Sequence, residues 1–208
     1  MKIFLASQAS NVLEDICKKL PKNPKDYSVA FIPTASNPYE NPTWLEQDKE
    51  KLKELGFNLF EMDIQGKSQK ELEILLKSID IIFVAGGNTM FLLEKMKESG
   101  FDNLIMQFVK KGVIYIGSSA GSVIFAPDSE PSKFFDERKG ISKIDTNSIG
   151  LIDFYPLPHY DNKKYKELND KVIKEYKNWK YKIVPITDTQ YFYMNNQKLN
   201  LIDVKDST

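Results

Sequence analysis

Short apolar runs alternate along this chain with longer stretches in which apolar residues return every third or fourth position. The first pattern is that of a strand, the second that of a helix with one buried face. Ile3 to Ala6 predicts a first strand, followed by a helix to about Lys19. Tyr27 to Ile32 predicts a second strand, closed by Pro33-Thr34-Ala35-Ser36. Thr43 is placed to cap a helix carrying Trp44, Leu45, Leu52 and Leu55, with Gly56 as its stop. Phe57 to Met62 predicts a third strand, and Ser68 caps a helix carrying Leu72, Ile74, Leu75 and Leu76. The unbroken run Ile79 to Val84 predicts a fourth strand, buried on both faces. Ala85-Gly86-Gly87-Asn88-Thr89 then opens a helix with Thr89 as its cap; Gly100 ends it, and a shorter helix runs to Gly112.

Strand and helix in strict alternation argue for an α/β fold, a mostly parallel sheet with helices on both faces. After a fifth strand at Val113 to Ile116 the pattern loosens. Pro127 to Lys143 is a polar loop with the charge cluster Asp136-Glu137-Arg138-Lys139. Leu151 to Tyr155 predicts a strand, Lys163 to Trp179 a helix, and Ile183 to Ile186 a last core strand. Tyr191 to Met194 and Gln197 to Ile202 predict a C-terminal β-hairpin around Asn195-Asn196. No linker divides the chain, so residues 1–208 are expected to form a single domain.

The fifth strand runs into Gly117-Ser118-Ser119-Ala120-Gly121, a Gly-x-Ser-x-Gly turn between a buried strand and a helix. In that setting the pattern is that of a nucleophile elbow, whose tight, strained turn presents the serine hydroxyl at a helix N-terminus. A plain Gly/Ser turn holding nothing, or a phosphate, satisfies the same pentapeptide. A serine nucleophile needs a base, and His159 is the chain's single histidine. The base needs an acceptor for its other ring nitrogen, and Asp136, Asp145, Asp153, Asp161, Asp188 and Asp203 are candidates. Asp188, after the last predicted core strand, is the best placed. For an oxyanion hole the N–H of Ala120 supplies one donor and the glycine turn another, from Gly87.

Composition narrows the alternatives. The 29 basic and 29 acidic residues cancel, which gives no reason to expect a nucleic acid or a membrane surface as partner. Arg138 is the only arginine. One cysteine, Cys17, cannot form an intrachain disulfide and fits a buried thiol on the first helix. The start of the chain is too short in apolar residues for a signal sequence, and no apolar run reaches membrane-spanning length, so a cytoplasmic protein is expected. With no pair of histidines or cysteines, no metal is expected. Gly86-Gly87-Asn88-Thr89 lacks the ending of a phosphate-binding P-loop, and no other cofactor motif stands out.

Taken together, Gly86-Gly87-Asn88-Thr89, the elbow from Gly117 to Ser122, and Gly150-Leu151-Ile152-Asp153-Phe154 leading to Pro158-His159 resemble the peptidase E (aspartyl dipeptidase) and cyanophycinase family of serine peptidases. The Ile32 to Ser36 turn and the region of Asp188 are similar as well. The resemblance spans almost the whole chain. It implies a class I glutamine amidotransferase-like fold with Ser119 as nucleophile and His159 as base. The family's third member is typically a glutamate, where this chain offers Asp188. The resemblance further implies a dipeptidase acting on N-terminal Asp-X, with a small peptide as partner; Asn88 is expected near the substrate, and the chain is expected to be a monomer or homodimer. Two other readings stay open: a binding protein without turnover, and an esterase or amidase using the same three residues. The order Ser119, His159, Asp188 is, independently, not that of an α/β-hydrolase.

Overall fold

In a computed structural model of the chain, residues 1–143, 145–196 and 198–207 are described. The strands are β1 Lys2–Ala6, β2 Ser28–Ile32, β3 Asn58–Glu61, β4 Ile81–Val84, β5 Ile114–Ser118, β6 Phe154–Leu157, β7 Lys182–Pro185, β8 Gln190–Asn195 and β9 Lys198–Asp203. Seven of them form the central sheet in the order β3-β2-β4-β5-β1-β8-β9. Its first five strands pair in parallel, and β8 and β9 extend it antiparallel from β1.

The period of two sorts side chains between the two sheet faces. Ile3, Leu5, Ile32, Ile82 and Tyr115 point to one face and pack with α3 (Gln69–Leu76), α4 (Thr89–Ser99) and α5 (Phe101–Lys110). Phe4, Phe31, Phe83 and Ile116 point to the other and pack with α1 (Leu13–Lys18) and α2 (Thr43–Glu54). The expected α/β sheet with helices on both faces is what forms. Cys17 is half-buried on α1, and burial pushes its thiol up to about 11, which keeps it protonated and unreactive. Among the described residues no helix is long and apolar enough to cross a membrane.

Three strand expectations shift. Ile183 to Ile186 does not join the core sheet: β7 pairs in parallel with β6 alone, as a separate two-stranded sheet. Pro156 in β6 and Pro185 in β7 are compatible with this, because a strand with one neighbour tolerates the missing N–H groups. The strand expected at Leu151 to Tyr155 starts later, at Phe154, and runs to Leu157. Third, Asn195 pairs with Lys198, so β8 runs one residue into the turn expected at Asn195-Asn196; Gln197, expected to open the next strand, lies outside the described residues. Asn196 takes the left-handed conformation, φ 47°, that such tight hairpins require.

The small sheet closes over the first through a third apolar cluster. Val123, Ala126, Tyr155, Leu157, Val172 and Tyr176 join the β6–β7 pair, the elbow helix and α7 (Lys166–Glu175). Because β6 and β7 run parallel, Leu157 beside Pro185, the residues after them emerge at the same end. His159 and Asp188 both lie in those exits.

Candidate active site

The elbow forms as a strained turn. Ser119 follows β5 directly, precedes the short helix α6 (Ala120–Val123) and has φ 48° and ψ −107°. A side chain at Gly117 would collide with the Gly121 carbonyl, and one at Gly121 with the Val84 carbonyl, so the turn closes only with glycine at both places. The turn is held by its backbone: the Ser119 N–H donates to the Ala6 carbonyl at 3.0 Å. Its carbonyl accepts the Ser122 and Val123 N–H groups. The Ser122 hydroxyl adds bonds to the Ala6 and Gly117 carbonyls.

Ser119, His159 and Asp188 form one hydrogen-bonded chain. His159 Nδ1 lies 2.6 Å from Asp188 Oδ1 and its Nε2 lies 2.9 Å from Ser119 Oγ. A carboxylate accepts, so Nδ1 carries the proton and Nε2 is left to accept from the serine hydroxyl. Burial alone raises the Asp188 pKa, but His159, Ser7 and Asn162 outweigh it and hold the carboxyl below its usual range. Asp188 is therefore charged at neutral pH. The Tyr165 ring stacks on the imidazole at 5.2 Å, and Asn169 donates to the His159 carbonyl.

The glycine turn lies beside the serine. A Cβ on Gly86 would sit 3.3 Å from Ser119 Cβ. Gly87 has φ +142°, and a Cβ there would collide with the Ala35 carbonyl, leaving no room for a side chain. Among the described residues neither the Gly87 nor the Ala120 N–H donates to another group. Asn88 is a correction. It is fully buried, and its amide is committed within the protein: Oδ1 accepts the Phe91 N–H and Nδ2 donates to the Glu137 carbonyl. It caps α4 in place of Thr89, the expected cap, and with no exposed surface it is closed off from a substrate.

A cavity of about 490 Å³ opens at Ser119, a size suited to a small ligand. Tyr39, Trp44 and Phe135 supply apolar wall, Asp136 and Glu137 acidic wall, and Lys164 is the cationic side chain of the lining. The polar loop thus lines the site. Asp136 accepts the Met90 N–H at the start of α4, while desolvation pushes its carboxyl up to about 7.

Among the described residues none of the other candidate aspartates bonds to the imidazole. Asp161 accepts the Asp188 N–H, Asp145 pairs with Lys97, and Asp203 accepts from Thr189 and Gln190. Two groups at the site carry no motif in the sequence. Ser7, just past β1, bonds to both Asp188 and the His159 backbone. Asp48, on α2, is 1% exposed and accepts the Ser10 N–H beneath the elbow, and burial pushes its carboxyl up to about 6.

Comparison with known proteins agrees with this architecture. The model of peptidase family S51 matches residues 3–202. Lmo0363 of Listeria monocytogenes, named an uncharacterized peptidase, is 34% identical over 95% of this chain and 96% of its own. Peptidase E of a Nostoc species is 25% identical over 77% of this chain and 66% of its own. A crystal structure from Listeria monocytogenes EGD-e, provisionally assigned as a peptidase E protein, is 32% identical with a TM-score of 0.89, covering 97% of this chain and 98% of that one. The chain belongs to peptidase family S51 and is a serine-type peptidase.

Proposed function

We propose that the protein hydrolyses short peptides, with dipeptides bearing an N-terminal aspartate as its substrates, through an acyl-enzyme on Ser119. The observation that carries the reading is the unbroken chain Ser119 Oγ, His159 Nε2, His159 Nδ1, Asp188 Oδ1 at the mouth of the cavity.

Ser119 Oγ attacks the scissile carbonyl carbon while its proton passes to His159 Nε2. Asp188 stabilises the resulting imidazolium, and the N–H groups of Gly87 and Ala120 receive the oxyanion. His159 returns the proton to the departing amine as the C–N bond breaks. Water then attacks the ester, giving its proton to His159, and Ser119 is regenerated as the acid leaves. Specificity follows from charge: Lys164 faces the aspartyl carboxylate of the substrate, and the Asp136–Glu137 wall receives its free ammonium.

Incubation with Asp-Leu, Glu-Leu, Ala-Leu and Leu-Leu, beside the Ser119→Ala variant, tests the reading by released amino acid. Cleavage of Asp-Leu ahead of the others, lost in the variant, is the expected result. Equal cleavage of all four would remove the specificity and keep the chemistry. No cleavage, with Ser119 inert to a fluorophosphonate, would leave a binding protein.

A further inference from the structure

The segment directly after β1 touches every part of the hydrogen-bonded chain, although it contains no acid, base or glycine signal. The Ala6 carbonyl accepts the Ser119 N–H, and the Ala9 N–H donates to Ser118 Oγ at 3.1 Å. Asn11 Nδ2 donates to the Asp188 carbonyl at 3.1 Å. Ser7 is the most connected of these residues. Its hydroxyl donates to Asp188 Oδ1 at 2.7 Å, the same oxygen that meets His159 Nδ1. It also accepts the His159 backbone N–H at 2.7 Å. The side chain is fully buried, and the Ser7 N–H is anchored to the Gln190 carbonyl at 3.2 Å.

One hydroxyl therefore fixes two things that the chemistry needs. His159 has φ 59°, a left-handed backbone that a non-glycine residue holds only when its surroundings enforce it. The bond from its N–H to Ser7 is one of those restraints. The bond to Asp188 fixes the carboxylate oxygen that Nδ1 meets and takes up one of its lone pairs. Because a hydroxyl has one proton and two lone pairs, Ser7 can do both at once, and alanine can do neither.

We infer that Ser7 is a positioning residue of the peptidase site, joining the backbone of His159 to the carboxylate of Asp188 so that the imidazole is presented to Ser119 in one orientation. The inference rests on the reading of Ser119, His159 and Asp188 as the reacting set. Loss of a hydrogen bond to a charged group in such a network lowers kcat by roughly ten- to a hundredfold and leaves KM nearly unchanged. It also removes a donor that stabilises the charged carboxylate, so the Asp188–His159 pair becomes more basic. The acid limb of the kcat/KM profile, which reports the pair as a unit, then moves to higher pH. The other ionisable groups around the pair, Asp48, Asp161, Asp136, Glu137, Lys164 and Tyr165, are unchanged in the variant.

The test compares Ser7→Ala and Ser119→Ala with the native protein on the best dipeptide of the panel. It measures kcat, KM, the pH profile and thermal unfolding, with the proton NMR signal of the His159 Nδ1–H as a readout independent of turnover. His159 is the only histidine, so that signal has one source. A folded Ser7→Ala protein with lowered kcat, a raised acid limb and a shifted Nδ1–H signal is expected. Native kcat, limb and signal in Ser7→Ala, while Ser119→Ala is inactive, would overturn the role of Ser7 alone. Activity retained in Ser119→Ala would instead remove the reacting set on which it rests. If Ser7→Ala lowers kcat only in proportion to its unfolded fraction, with limb and signal unmoved, the hydroxyl is structural and the inference fails.

Discussion

In the proposed mechanism Asp188 decides whether the hydrogen-bonded chain can do chemistry. Its carboxylate accepts at Oδ1 from both His159 Nδ1 and Ser7 Oγ, and it is held charged. An asparagine there is nearly the same size, but it can turn its NH₂ toward Nδ1. That favours the tautomer with the proton on Nε2, which faces Ser119 as a donor and cannot take its proton. Asp188→Asn is expected to lower kcat by about 10³–10⁴ with little change in KM or stability, read by steady-state kinetics and thermal unfolding. Near-native turnover would show that another group orients the base. Ser119 and His159 were legible because each is almost without rivals: one Gly-x-Ser-x-Gly turn after a strand, and one histidine. Ser7 and Asp48 were not, because a serine after a strand and an acid on a helix are ordinary. Only the folded chain brings Ser7 to Asp188, residues separated by 181 positions.

At the scale of elements, the glycine turn, α4 and the polar loop act as one unit. Asn88 caps α4 through the Phe91 N–H at 2.8 Å and holds the loop through the Glu137 carbonyl at 2.7 Å. Asn88→Ala removes both bonds from a fully buried position, and the cap alone is worth about 0.5–2 kcal/mol. Equilibrium urea unfolding should show a loss of at least that size, and an unchanged midpoint would mean the loop is held elsewhere. Periodicity placed every strand of the parallel sheet, because each is a short run bounded by turns, and β1, β2, β4 and β5 are apolar on both faces while β3 is an exposed edge. It failed where pairing decides: nothing in Ile183 to Ile186 says which sheet it joins. Asn88 and Thr89 are both good caps by residue type, and the choice fell to the one whose second polar group could also be satisfied.

For the molecule as a whole, two buried carboxyls set opposite limits on stability with pH. Glu94 on α4 is 7% exposed, accepts the N–H and hydroxyl of Ser142 and the N–H of Lys143, and pairs with Lys95. Burial pulls its pKa up, but these partners outweigh it and hold the carboxyl down at about 2. A depressed acid stabilises the fold above its ordinary value of 4.5, and that contribution is lost as the pH falls toward 2. Asp48 runs the other way. Burial raises it from 3.8 to about 6 against the pull of Ser118, Ser10 and His159, so its contribution is complete below 3.8 and lost as the pH rises through 6. The raised carboxyl of Asp136, at about 7, extends that decline toward neutrality. Set by these three groups, stability should therefore peak near pH 4, with the acid flank belonging to Glu94 and the alkaline flank to Asp48 and Asp136. Asp48→Asn keeps an oxygen for the Ser10 N–H and removes the buried charge, so it should raise stability at pH 7 by on the order of 1–3 kcal/mol and change little at pH 4. Glu94→Gln should cost a similar amount at pH 7 and flatten the acid flank. Thermal melts of the three proteins from pH 3 to 8 read both effects, and a native profile that rises steadily to pH 8 would show that Asp48 is not the buried charge that its surroundings describe.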